Sequence, residues 1–123
     1  MTKAAAIQAF LEAHGPPAYD VASVPSDVAF PYQTYTLATG AFGDGDIAIT
    51  VEQWHYTAGD VTPNAVAQQL SEAIGLGGVA LPCDGGLIWL KRGSPFSQSL
   101  KDESNDMIKR RYINISAEYI TAD

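Results

Sequence analysis

Two histidines, His14 and His55, and a single cysteine, Cys83, are the side chains best suited to nucleophilic or general acid–base chemistry at neutral pH. Such chemistry needs a nucleophile and a base within hydrogen-bond reach and a third group to orient the base. No motif ties these three together. His14 falls at the end of a helical pattern, where an imidazole interacts favourably with terminal carbonyls. His55 stands between Trp54 and Tyr56 and reads as a strand-face residue. Cys83, in Leu81-Pro82-Cys83-Asp84-Gly85-Gly86, reads as a semi-buried thiol filling a small gap. One cysteine and two separated histidines make no zinc set. Asp44-Gly45-Asp46 resembles the start of a calcium loop but lacks the closing glutamate, so hairpin chemistry suits it better. Gly75-Leu76-Gly77-Gly78 follows a helical pattern instead of opening one, which argues against a phosphate cradle. The chain is therefore expected to be no enzyme, with no catalytic, cofactor-binding or metal-binding residues.

Charge is the stronger signal. Of seven cationic residues, six lie between positions 91 and 111: Lys91, Arg92, Lys101, Lys109, Arg110 and Arg111. That stretch holds three acids, whereas residues 1–90 hold only Lys3 against nine acids. With a net charge of −7 the chain is a poor candidate for wrapping nucleic acid, which needs clustered cations over most of its surface. Acidic walls suit DNA that must pass without sticking. The segregation fits a basic edge that meets the acidic body of another copy or of a different partner. Lys91, Arg92, Phe96, Lys109, Arg110 and Arg111 are the candidate interface residues, and Asp44, Asp46 and Glu52 the candidate complementary or lumen-facing acids. Trp54, Tyr56, Trp89 and Tyr112 read first as core or strand-face residues, with one or two available as interface anchors.

The elements that must position these residues follow from periodicity. At 123 residues with 46% hydrophobic content, one domain spanning 1–123 is expected. Ile7, Phe10, Leu11 and His14 recur at helical spacing, with Thr2 able to cap the start and Gly15-Pro16-Pro17 ending the run. Residues 16–29 read as a connector. Residues 30–37 and 47–56 read as an antiparallel hairpin around the glycine-rich turn 40–46. Along 47–56, Ile47, Ile49 and Val51 share one face and Trp54 and Tyr56 the other, which asks for either a bulge or a cover over the second face. Thr62-Pro63 marks a capped helix start, Val66, Leu70, Ala73 and Ile74 its buried stripe, and Gly75 its stop. Val79-Ala80-Leu81 and Leu87-Ile88-Trp89-Leu90 are short strands, 93–105 a polar mobile loop, and 111–119 a final strand. The sum is an α+β fold, two helices packed on one face of a mostly antiparallel four- to five-stranded sheet. No apolar run reaches the roughly 18 residues of a membrane span. The start of the chain lacks a basic leader and an unbroken apolar run, so a cytoplasmic site of synthesis is expected.

Four stretches together resemble the tail terminator proteins of long-tailed phages, also called minor capsid or tail-completion proteins. They are Phe30-Pro31-Tyr32-Gln33-Thr34-Tyr35, Phe42-Gly43-Asp44-Gly45, the run from Cys83 through Trp89, Lys91 and Arg92 to Phe96, and Ile108-Lys109-Arg110-Arg111-Tyr112-Ile113-Asn114-Ile115. The likeness rests on order and spacing over most of the chain. It implies a small α+β structural subunit of the virion, assembled in the host cytoplasm. Such subunits form a homo-oligomeric ring, a hexamer, at the head-proximal end of the tail. The ring ends tail-tube polymerisation, docks the head-completion or connector protein, and lets DNA pass without specific binding. The alternatives are a head-side connector or adaptor of the same particle, and a small ligand-binding domain.

Overall fold

Strict alternation along the C-terminal strand sets the centre of the molecule. The computed structural model describes all residues, 1–123. In the strand Ile108–Thr121 (β6), Arg111, Ile113, Ile115, Ala117, Tyr119 and Thr121 are all buried, while the intervening residues are not. A strand with a period of two and one apolar row must lay that row on a core. β6 does so between two long neighbours, Asp46–Tyr56 (β3) and Gly86–Lys101 (β5), both antiparallel to it. Ile49 stands opposite Ile115 and Val51 opposite Ile113. On the other side Leu90 stands opposite Ala117 and Ile88 opposite Tyr119. Both flanking strands thus turn their apolar rows to the same side.

Beyond β3 lie Tyr32–Thr36 (β2), antiparallel to it, and then Ala18–Asp20 (β1), parallel to β2. Beyond β5 lies Val79–Cys83 (β4). The result is one six-stranded mixed sheet in the order β1-β2-β3-β6-β5-β4, curled into a half-barrel. Six strands replace the four or five expected. The addition is β1, which the connector-like composition of residues 16–29 concealed. Three residues are too few for periodicity to register.

Two helices complete the α+β fold: Lys3–Ala13 (α1) and Val61–Ile74 (α2). Thr2 caps α1, its hydroxyl accepting from the Ala5 amide at 3.1 Å. Ala6, Ile7, Phe10 and Leu11 of α1 and Ala67, Leu70 and Ile74 of α2 join one hydrophobic cluster with the inward rows of β3, β5 and β6. Gly75 ends α2 with φ of +78°, a conformation that disfavours a side chain, as the sequence implies. The start of α2 differs from expectation. Asp60 and not Thr62 stands at the N-cap, and no side chain caps the helix.

Two further expectations are corrected. Residues 93–101 are not a loop: they continue β5 alongside β6, with an irregularity between Arg92 and Ser97. Gly93-Ser94-Pro95-Phe96 are bulged out there, and only residues 102–107 connect the strands. Polar composition suggested a loop, but a strand exposed on one edge and one face tolerates serine and glutamine. In β3 no bulge swaps the faces, because its pairing with β6 runs unbroken from Asp46 to Tyr56. Gln53 and His55 simply occupy the inward row.

Truncation of a side chain at the heart of this cluster should be costly. Leu70→Ala, at a residue that exposes none of its surface, is expected to lower the unfolding free energy by about 2–5 kcal/mol. Val66→Ala, one turn earlier and only half-buried, should cost much less. Urea denaturation of both variants checks the difference.

Candidate functional site

The cationic residues do not form one patch. Lys91 pairs with Asp46 at 3.0 Å, Arg110 with Glu52 at 2.9 Å and Arg111 with Asp60 at 3.0 Å, all within the same chain. The sequence suggested that Lys91, Arg110 and Arg111 meet acids such as Asp46 and Glu52 between copies; within the chain Arg110 and Glu52 lie on adjacent strands, Lys91 and Asp46 on the two strands that flank β6, and Arg111 reaches Asp60 at the start of α2. Lys91 and Asp46 both lie next to β6, and Arg110 stands beside the β3 residue Trp54. Arg110 also lays its guanidinium 4.4 Å from the centre of the Trp54 ring, a contact on the order of 0.5–1 kcal/mol. Asp44 serves its own turn, accepting from the Ala41 amide at 2.8 Å.

Arg111 is a clear correction. It is 4% exposed, and it donates to both Asp60 and Asn64, at 3.0 and 2.8 Å. It therefore ties α2 to the sheet and is not available to a partner. Phe96 is likewise half-buried against its own core. Arg92 remains exposed, bonded to the Ser71 hydroxyl at 3.0 Å.

The far end of the β5–β6 hairpin holds two lysines on either side of a connection that carries Asp102, Glu103 and Asp106. Lys101 stands directly across from Lys109, and neither has an ion-pair partner. Lys109 reaches only the Asp106 carbonyl. Like charges directly opposite in a ladder are destabilising. The same stretch of β5 is also an open edge. β4 pairs only with Gly86–Leu90, so residues 97–101 have β6 on one side and no strand on the other. Ser97, Gln98 and Ser99 are exposed there. The opposite edge of the sheet is treated differently: on β1, Gln8 donates to the Ala18 carbonyl at 2.9 Å and Glu12 accepts from its amide at 3.3 Å. Those side chains blunt that edge against further pairing.

A second feature lies on the outward face of the sheet. Tyr32 and Trp54 stack with centroids 5.8 Å apart, and Phe30 bridges Tyr32 and Tyr56 at 5.5 and 5.8 Å. Phe30 and Tyr56 remain substantially exposed. This is the covering that the two-faced pattern of β3 called for, supplied in part by the chain itself. At the rim of this cluster a pocket of about 590 Å³ is lined by Phe30, Pro31, His55, Tyr56, Thr57 and Thr62.

On the inward face the same end of the sheet is polar. Gln33, Gln53, His55 and Arg111 are all buried. Gln33 donates to the Leu11 and Pro16 carbonyls at 3.1 and 2.9 Å, satisfying the end of α1, and accepts from Gln53 at 3.2 Å. His55 has an Nε2 with no hydrogen-bond partner. Burial, with the nearby Arg111 cation second, lowers its pKa from the ordinary 6.5. At the opposite end, burial pushes the Tyr119 phenol up to about 12, and its hydroxyl donates to the Ala38 carbonyl at 2.6 Å. Cys83 and His14 lie at separate places, Cys83 at the end of β4 and His14 at the end of α1 against Phe10.

Comparison with protein families and with curated proteins returned no match.

Two outcomes follow from the buried polar row. His55 is held neutral in the folded chain, so as pH falls the unfolded chain takes up a proton that the folded chain refuses. The stabilisation is fully present above about pH 6.5 and is lost as pH drops through the lower folded value. Urea midpoints measured from about pH 7.5 down to about 5 should decline, and His55→Gln should flatten the decline. Removing the Arg111 cation with Arg111→Met should cost on the order of 1.5–3 kcal/mol through its lost hydrogen bonds. Arg110→Met, at an arginine more exposed than Arg111, should cost less, about 1 kcal/mol, by the same assay.

Proposed function

We propose that this chain is a structural subunit of a phage or prophage tail that forms a ring at the head-proximal end, stops tube growth and receives the head-completion protein. In this reading the helices cover one face of the sheet and the remaining surfaces are given to assembly. One observation carries the proposal: β5 beyond its pairing with β4 leaves an open strand edge, next to Lys101 and Lys109, which have no ion-pair partner, on a chain of net charge −7. A closed ring requires heterologous contact, in which two different patches of one subunit meet. The hairpin end supplies one patch and the acidic body of the next copy supplies the other. Electrostatic complementarity of this kind fixes register and speeds encounter.

The reading moves the seam from where the sequence put it. Lys91, Arg110 and Arg111 are occupied within the subunit, whereas Lys101 and Lys109 are free to meet carboxylates of a neighbour. The aromatic patch around Phe30 and Tyr56 offers the kind of anchor that partner surfaces favour.

Lys101→Glu separates fold from assembly. It converts a repulsive cross-strand pair into an attractive one, so the isolated chain should be more stable by about 0.2–1 kcal/mol. Ring formation should nevertheless weaken, read by sedimentation velocity or by complementation of a gene deletion. Assembly equal to that of the parent chain would remove the hairpin end from the seam. Electron microscopy of particles lacking the gene tests the role itself. Overlong tubes with tailless filled heads are expected. Tails of normal length that fail to join heads would instead assign the chain to a connector, and intact infectious virions would overturn both.

A further inference from the structure

We infer that the pocket between the end of β3 and the start of α2 is a binding site for a carboxylate carried on an aromatic or apolar body. The inference does not rest on the ring reading, and three independent features converge on it.

The first is the helix start. α2 has 14 residues and no side-chain cap. Asp60, which stands at the N-cap, directs its carboxylate to Arg111 and lines a different pocket. The amides of Val61 and Thr62 therefore keep the unsatisfied donor character of a first helical turn, together with the positive end of the helix dipole. Thr62 lines the pocket and adds a hydroxyl.

The second is His55. It lines the same pocket, is 2% exposed, and leaves Nε2 without a partner. A buried imidazole nitrogen without a hydrogen bond is costly, and a native structure retains one only with a reason. A bound carboxylate would supply that reason, because it accepts from the imidazole and from the helix amides at once.

The third is the composition of the wall. Half of the charged residues of many surfaces are acidic, and this chain holds 14 acids against seven cations. Yet none of the six lining residues is a carboxylate. Phe30, Pro31 and Tyr56 form an apolar side, and Thr57 and Thr62 a hydroxylic one. An inorganic anion would leave the aromatic side unused, and a purely apolar ligand would leave His55 and the helix amides unsatisfied. A carboxylate next to an aromatic ring uses both, whether it is a chain terminus or an aspartate or glutamate side chain beside an aromatic residue.

The test is a nuclear magnetic resonance titration of the full chain with three probes: N-acetylphenylalanine, the amide of N-acetyl-aspartyl-phenylalanine, and N-acetylphenylalanine amide. The first carries a terminal carboxylate, the second a side-chain carboxylate and the third none. Saturable shifts at the Thr62 amide and the His55 ring with either acid, and not with the neutral amide, are the expected result. The tighter of the two acids identifies the source of the carboxylate. Thr62→Asp places a negative charge at the pocket mouth, at a helix position that favours it, so folding is retained. It should weaken binding by at least about tenfold. His55→Gln should weaken it as well, with the urea midpoint reporting that the variant is folded. Equal binding of the neutral amide, no saturable shift with any probe, or unchanged affinity in Thr62→Asp would each overturn the assignment.

Discussion

Everything in this molecule is hung on the alternating burial of β6. Its inward row forms the middle of the apolar face, and the rows of β3 and β5 are aligned to it by backbone pairing that is unbroken along β3 and interrupted along β5 only between Arg92 and Ser97. A one-residue slip of β6 would turn Ile113, Ile115, Ala117 and Tyr119 outward and bring Tyr112, Asn114, Ser116 and Glu118 into the core. The register is therefore fixed by hydrophobic burial, and the positions of the helices follow, since α1 and α2 can bury their apolar stripes only on the surface that this register creates. Arg111 extends the same row into a polar end, where it holds Asp60 and Asn64 at the beginning of α2.

That arrangement explains how a chain with segregated charge becomes a fold with compensated charge. Six of the seven basic residues lie in β5 and β6, and Asp46 and Glu52 lie in β3. Because β6 lies beside β3 in space, pairing of the strands brings the two sets together. Lys91 with Asp46 and Arg110 with Glu52 are consequences of topology. Both pairs retain exposure, so each contributes at most about 1 kcal/mol, and neither reaches the far end of the β5–β6 hairpin, where Lys101 and Lys109 have no ion-pair partner. The open edge of β5 beyond its pairing with β4 lies at that same end.

The two ends of the inward face differ in kind. Around Tyr119 the polar atom is satisfied and the packing is apolar. Around His55 the polar groups outnumber their partners, and a pocket opens beside them. Stable cores tend to avoid the second condition. Its presence next to an uncapped helix start and exposed aromatic rings distinguishes this end of the molecule from the other.

Much of the framework was legible in the sequence. Apolar spacing located both helices, Thr2 and Gly75 marked a start and a stop, and β-rich runs located β2, β3, β4 and β6, because these signals depend on neighbours in the chain. The extent of β5 was not legible, since Ser97-Gln98-Ser99 joins a strand only because β6 offers a partner for its backbone. β1 was hidden for the same reason. The bases and acids of the site could be named from composition, but their partners could not: whether Arg110 meets Glu52 or another chain depends on which strands lie side by side. The same holds for His55 and Thr62, seven residues apart in sequence and unremarkable there. Local sequence determined the elements and which face of each is apolar. Only the tertiary structure decided which charges cancel, which edge stays open and which polar atoms are left without a partner, because those outcomes depend on contacts between residues that are distant along the chain.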